Sequence, residues 1–124
     1  MASPTPSFPV HALRACFAAF VVLVLVLALW PSPEQLPLQT GWDKADHVAA
    51  FAFLGLLGLL AWPGDPARVL AGLLLYGVLI EVLQSFTPSR QADWHDVVAD
   101  AVGSALAMLL LTTWRRWRDA SASA

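Results

Sequence analysis

The stretch that decides the fold is "YGVLIEVLQSFTPSRQADWHDVVAD", Tyr76 to Asp100. It begins inside an apolar run, and Glu81 interrupts that run with a carboxylate. Gln84, Arg90, Asp93, His95, Asp96 and Asp100 follow within twenty residues. Whether a carboxylate can stand there depends on what surrounds the chain. The 124 residues are 58% hydrophobic and only 13% charged, against about 25% charged in an ordinary soluble domain. A soluble domain this small has too high a surface-to-volume ratio to bury so much apolar surface. Lipid is the solvent that takes the excess, and the length suits one small membrane domain.

A helix needs about 20 mostly apolar residues to cross roughly 30 Å of hydrocarbon. Four segments approach this: residues 13–30, 45–62, 67–86 and 96–114. They are closed by "PSP", "PGDP", Thr87-Pro88 and "RRWR" respectively. Trp30, Trp42, Trp62, Trp94, Trp114 and Trp117 lie at or beyond the span ends, where amphipathic rings favour the interface. The sequence therefore predicts an all-α membrane protein of four transmembrane helices. Residues 1–12 read as a flexible segment, 13–118 as the membrane domain and 119–124 as a flexible tail. The first span could be a cleaved signal peptide, but it ends in Leu29-Trp30-Pro31 rather than a small-x-small site, which favours retention.

Orientation follows from Lys and Arg. With four spans, Arg14, Arg68, Arg115, Arg116 and Arg118 share one side. The other side has Lys44 and Arg90 amid Glu34, Asp43, Asp46, Asp93 and Asp96. The N- and C-termini are therefore expected in the cytoplasm and the acidic loops outside.

This topology collects the polar residues at the outer end. Asp43, Lys44 and His47 open the second span, Glu81 and Gln84 close the third, and Asp96 and Asp100 open the fourth. Asp43 and His47 share a helix face at i and i+4, as do Asp96 and Asp100, while Glu81 and Gln84 are i and i+3. Gly55, Gly58, Gly77, Gly103 and Ala107 continue these faces, and small residues let membrane helices approach closely. Glu81 lies roughly 7 Å inside its span at 1.5 Å per residue. A carboxylate at that depth faces the bundle or a water-filled cavity, with a partner; Arg90, Lys44 and His47 are the candidates. The bland readings are that Asp43 and Asp96 support helix N-termini, or that Lys44–Glu81 and Arg90–Asp100 are packing glue. Asp46, Asp65 and Asp119 read as surface residues.

A net charge of −2 gives no electrostatic case for nucleic acid as a partner. The single cysteine, Cys16, permits no intramolecular disulfide and reads as a lipid- or core-facing thiol. There is no HExxH and no Cys/His pair at metal spacing, so no metal or cofactor is expected. Should a metal bind, His47, His95, Glu81 and Asp96 are the plausible ligands.

These motifs resemble those of the VanZ-like family of small bacterial membrane proteins. That family's pattern is Asp-Lys-x-x-His opening one span, Glu-x-x-Gln near the end of the next, an Arg in the loop, and Asp-x-x-x-Asn-x-x-Gly opening the last. Here they are "DKADH" (Asp43, Lys44, His47), "EVLQ" (Glu81, Gln84), Arg90 and "DVVADAVG" (Asp96, Asp100, Gly103). One departure is visible: Asp100 stands where the pattern has Asn. The resemblance implies a multi-pass protein of the bacterial cytoplasmic (inner) membrane. The family takes its name from an accessory factor in teicoplanin resistance and supplies no established reaction. An envelope stress or glycopeptide tolerance role is the expectation it lends.

Three functions follow. The first is an outward-facing polar pocket for a lipid-linked, peptidoglycan-related or other envelope headgroup, formed by Asp43, Lys44, His47, Glu81, Gln84, Arg90, Asp96 and Asp100. Lys44 and Arg90 would hold phosphate or carboxylate, Arg through its bidentate fork. The second is an intramembrane enzyme, with Glu81 or His47 as general acid or base, His47 oriented by Asp96 and developing charge stabilised by Arg90. The third is a structural or regulatory subunit, locked by its polar cluster and paired with a membrane protein or another copy of itself.

Overall fold

The structure, a computed structural model, describes residues 8–31 and 43–124. Expectations for residues 1–7, Glu34 and Trp42 lie outside the described residues. Four helices follow one another: α1 Val10–Ala28, α2 Asp43–Ala61, α3 Pro66–Ser85 and α4 Trp94–Ala122. All four are long and apolar enough to cross a membrane. Their outer faces carry exposed Val22, Leu75, Val82, Val102 and Leu109, which only lipid can cover without cost.

Local chemistry sets the boundaries. Pro9 precedes α1, and Pro66 opens α3, where its missing N–H costs nothing. Asp93 caps α4, accepting the His95 N–H at 3.0 Å. Trp62-Pro63 and Thr87-Pro88 follow the ends of α2 and α3, since the residue before a proline is pushed out of helical conformation.

Two expectations are corrected at the ends. α1 begins at Val10, so residues 10–12 are helical. α4 runs past Trp114 to Ala122, so residues 119–122 are helical and not a flexible tail. No glycine or proline follows Gly103, alanine favours helix, and Ser121 Oγ donates back to Trp117 O at 2.9 Å. At 1.5 Å per residue the 29 residues of α4 span about 43 Å.

The bundle is built around α2 and α4, the closest pair. Two glycines explain that closeness. A Cβ at Gly103 would meet the backbone of Val48 and Ala52, and one at Gly55 would lie 2.6 Å from Ala107 Cβ. Phe51, Leu54, Leu73, Ile80 and Val24 form one core cluster, and Leu59, Ala107 and Leu111 a second. α1 is peripheral and buries only Val24. It is tied on by polar groups: Tyr76 Oη donates to Val21 O at 2.5 Å, and Arg14 Nε donates to Ala61 O at 3.3 Å.

Candidate functional site

The polar residues assemble at one end, where α2 and α4 begin and α3 finishes. Lys44 projects from the first turn of α2 toward the start of α4. Its ammonium donates to Asp93 Oδ2 at 2.8 Å and to Asp96 Oδ1, with Asp43 Oδ2 at 3.8 Å. One turn further, His47 Nδ1 hydrogen-bonds Asp100 Oδ1 at 2.7 Å. Its Nε2 faces Asp96 Oδ2 at 3.6 Å. The i, i+3 spacing of Lys44 and His47 on α2 and the i, i+4 spacing of Asp96 and Asp100 on α4 therefore produce two rungs, Lys44 on Asp96 and His47 on Asp100.

Glu81 joins from α3. Its Oε2 accepts the backbone N–H of Asp93 at 2.8 Å. Asp100 approaches α3 because Gly77 lacks a side chain: a Cβ there would lie 2.6 Å from Asp100 Oδ2. The cluster is graded in depth. Asp43, Asp93 and His95 form a partly open rim, whereas Glu81, Asp96 and Asp100 retain 7%, 4% and 1% of their accessible surface.

Six of the eight sequence-predicted binding residues meet here: Asp43, Lys44, His47, Glu81, Asp96 and Asp100. The other two point to α1. Gln84 Nε2 donates to Ala28 O at 2.9 Å and Arg90 Nη2 to Leu27 O at 3.1 Å. They cap the C-terminal carbonyls of α1, where a cation also complements the helix dipole. Arg90 is thus engaged with backbone, not with Asp100, and Lys44 is shared among aspartates instead of reaching Glu81. Asp100, and not Asp96, is the hydrogen-bond partner of His47.

Asp93 was passed over as a loop residue. It links the elements, since it caps α4, holds Lys44 and hands its N–H to Glu81. The signal was available in Asp93-Trp94-His95, an Asp immediately before a helix start. Lys44, then the His95 N–H and imidazole, hold the Asp93 carboxyl well below the usual carboxylate range. His95 itself is exposed, stacked on Trp94 and bonded to Asp93. It leaves the metal-ligand set considered from sequence. A different set appears: Asp43, His47 and Asp96 each offer a ligand atom, and these lie within 4.8 Å of one another.

Among the described residues, the buried side-chain atoms lacking a hydrogen-bond partner are Glu81 Oε1, Gln84 Oε1, Arg90 Nε and Asp100 Oδ2. All four belong to the predicted binding set. A groove of about 460 Å³ lies toward the opposite end, lined by Phe17, Trp62, Arg68 and Tyr76 among others; it contains none of this chemistry.

The family model for VanZ/LLP1 matches residues 15–115. The chain belongs to the VanZ/LLP1 family. An uncharacterized protein of Schizosaccharomyces pombe is similar, 32% identical over 121 residues that cover 91% of this chain and 73% of the relative. That relative is from a yeast, so kinship alone does not assign this VanZ/LLP1 protein to a bacterium. No solved structure matches the chain. The VanZ/LLP1 match includes every residue of the cluster, and four membrane-spanning helices make the chain a multi-pass membrane protein of this type.

Proposed function

We propose that this VanZ-type protein recognises the polar headgroup of a lipid or lipid-linked envelope molecule at the acidic end of its bundle. In the proposed orientation that end faces the outside of a bacterial cytoplasmic membrane, and both termini are cytoplasmic. The observation that carries the reading is the coincidence of the unpartnered buried atoms with the predicted site. A buried polar atom without a partner costs about 1–3 kcal/mol, so Glu81 Oε1 and Asp100 Oδ2 in the cluster, with Gln84 Oε1 and Arg90 Nε next to α1, favour a ligand that supplies partners. Three of the four are acceptors, Glu81 Oε1, Gln84 Oε1 and Asp100 Oδ2. They suit a headgroup rich in donors, such as sugar hydroxyls or an amine. Lys44 is held by Asp93 and Asp96, and Arg90 has one nitrogen on the Leu27 carbonyl, so an anion would compete with these partners.

Native mass spectrometry of gently purified protein tests this. A specific lipid or precursor should co-purify, and Glu81→Gln with Gln84→Ala should lose it while keeping the helical circular dichroism spectrum. Wild type carrying only a sample of the bulk lipid refutes the reading.

A second reading draws on the His47–Asp100 hydrogen bond. A carboxylate on Nδ1 orients an imidazole and leaves Nε2 to accept a proton, which is the arrangement of a general base. Under this reading His47 and Glu81 act on an envelope lipid, and His47→Gln abolishes turnover without releasing the co-purified lipid.

A further inference from the structure

The geometry points to a divalent metal site formed by Asp43 and His47 of α2 and Asp96 of α4, with a first-row transition ion such as zinc as the ligand. The inference deepens the headgroup reading by naming an inorganic partner for the same cluster.

Three observations carry it. The ligand atoms of Asp43, His47 and Asp96 are mutually within 4.8 Å. His47 Nε2 and Asp96 Oδ2 are 3.6 Å apart, too long for a good hydrogen bond. It is close to the edge of a tetrahedron whose bonds are roughly 2.0–2.2 Å, for which ligand atoms stand roughly 3.3–3.6 Å apart. Asp43 lies one helical turn before His47 on the exposed rim and offers the third ligand atom. One position remains for water or a headgroup oxygen, as in open zinc sites.

The second observation is the hydrogen bond behind the imidazole. His47 Nδ1 meets the fully buried Asp100 Oδ1 at 2.7 Å. Metal-binding histidines give their other ring N–H to a carboxylate in this way, which fixes the tautomer and directs the lone pair at the ion.

The third is independent of the ligand set. Glu81 reaches the cluster from α3, its side chain more than nine-tenths buried, and its Oε1 has no partner. Asp100 Oδ2 is likewise unpartnered. The cluster holds five carboxylates, Asp43, Glu81, Asp93, Asp96 and Asp100, and one ammonium, Lys44, which reaches Asp43, Asp93 and Asp96, while Arg90 is turned to the Leu27 carbonyl. Glu81, Asp96 and Asp100 are the buried ones, and buried carboxylates call for a cation. The imidazole favours zinc, iron, copper or nickel over magnesium or calcium. The bound ion would also give an acidic site a means of accepting phosphate oxygen.

Full-length protein in detergent, stripped with chelator and titrated with zinc chloride, provides the test. We expect one zinc per chain, with X-ray absorption showing one imidazole among nitrogen and oxygen ligands. His47→Gln and Asp96→Asn should weaken binding at least a hundredfold, and Asp100→Asn roughly tenfold to a hundredfold. Asp65→Asn, at the other end, should bind as wild type. Wild type that takes up no stoichiometric zinc, or zinc without imidazole scattering, overturns the inference without recourse to any variant. Zinc uptake unaffected by His47→Gln and Asp96→Asn overturns it as well. Lipid co-purification is read in the absence of added metal, so failure here and failure of the headgroup reading are separate results.

Discussion

His47 and Asp100 meet across the α2–α4 interface, Nδ1 to Oδ1 at 2.7 Å, with the carboxylate fully buried. The family pattern places Asn at position 100, and an amide oxygen can accept the same hydrogen bond. Asp100→Asn is therefore expected to fold and to unfold within a few degrees of wild type. Asp100→Leu leaves a part-buried imidazole without its acceptor and should cost about 1–3 kcal/mol. Thermal unfolding in detergent compares the two; equal losses would mean that charge, not shape, holds His47.

Glycine substitutions should fall in a definite order. Gly103→Ala meets backbone atoms that cannot step aside, so it is expected to be the most damaging. Gly77→Ala presses on Asp100 Oδ2 and Gly55→Ala on Ala107 Cβ, each costing about 1–3 kcal/mol as overpacking. Gly72 faces open space, and Gly72→Ala should be neutral or slightly stabilising because alanine is the better helix former. The same unfolding assay ranks them.

Arg90 and Gln84 should behave as a latch on α1. Arg90→Ala combined with Gln84→Ala removes two donors from its last carbonyls. The last turn of α1 should then exchange amide hydrogens roughly tenfold faster, while α2 and α4 are unchanged. Equal acceleration in α4 would show that Arg90 supports the acidic cluster directly.

Asp93 provides a pH signature. Its folded-state acidity is strengthened, chiefly by Lys44, so its contribution is fully present above the unfolded value, about 3.9. It is lost as pH falls from there toward the folded value. The difference in melting temperature between wild type and Asp93→Asn should be constant from pH 8 to 5 and shrink below about 4. A difference already falling at pH 6 would assign the effect to another group.

Orientation is open to a direct test. Gln91→Cys, in the loop between α3 and α4, should react with an impermeant thiol reagent added outside intact cells, in a Cys16→Ala background. Labelling only after permeabilisation would invert the proposed topology.

Much of the architecture was legible in the sequence because lipid imposes a simple rule on it. Each expected span start lies within three residues of the helix start observed, since proline and polar boundaries are local signals. The end of α4 was missed because Trp114 and the arginines mark where hydrocarbon ends, not where a helix must. Within the site, i, i+4 spacing pairs Asp43 with His47 and Asp96 with Asp100, and both pairs lie in the cluster. Partner choice was not legible. Charge alone suggested Arg90 for an acid, yet its guanidinium reaches the carbonyl of Leu27, a group that no residue letter advertises. Asp93 was overlooked for a similar reason, because two of its interactions run through backbone N–H groups.

The loose seating of α1 has a consequence for how the protein is made. Its only buried residue is Val24, and apart from the Ala61 carbonyl of α2 the polar groups that hold it, Tyr76, Gln84 and Arg90, come from α3 and the loop after it. Until α3 is made, the contacts available to α1 are those with α2: Arg14 on Ala61 O and Phe20 on Phe53. The end of α3 and the loop after it then bring Gln84 and Arg90 to its last carbonyls, so the seating of the C-terminal end of α1 cannot be completed before that loop is made.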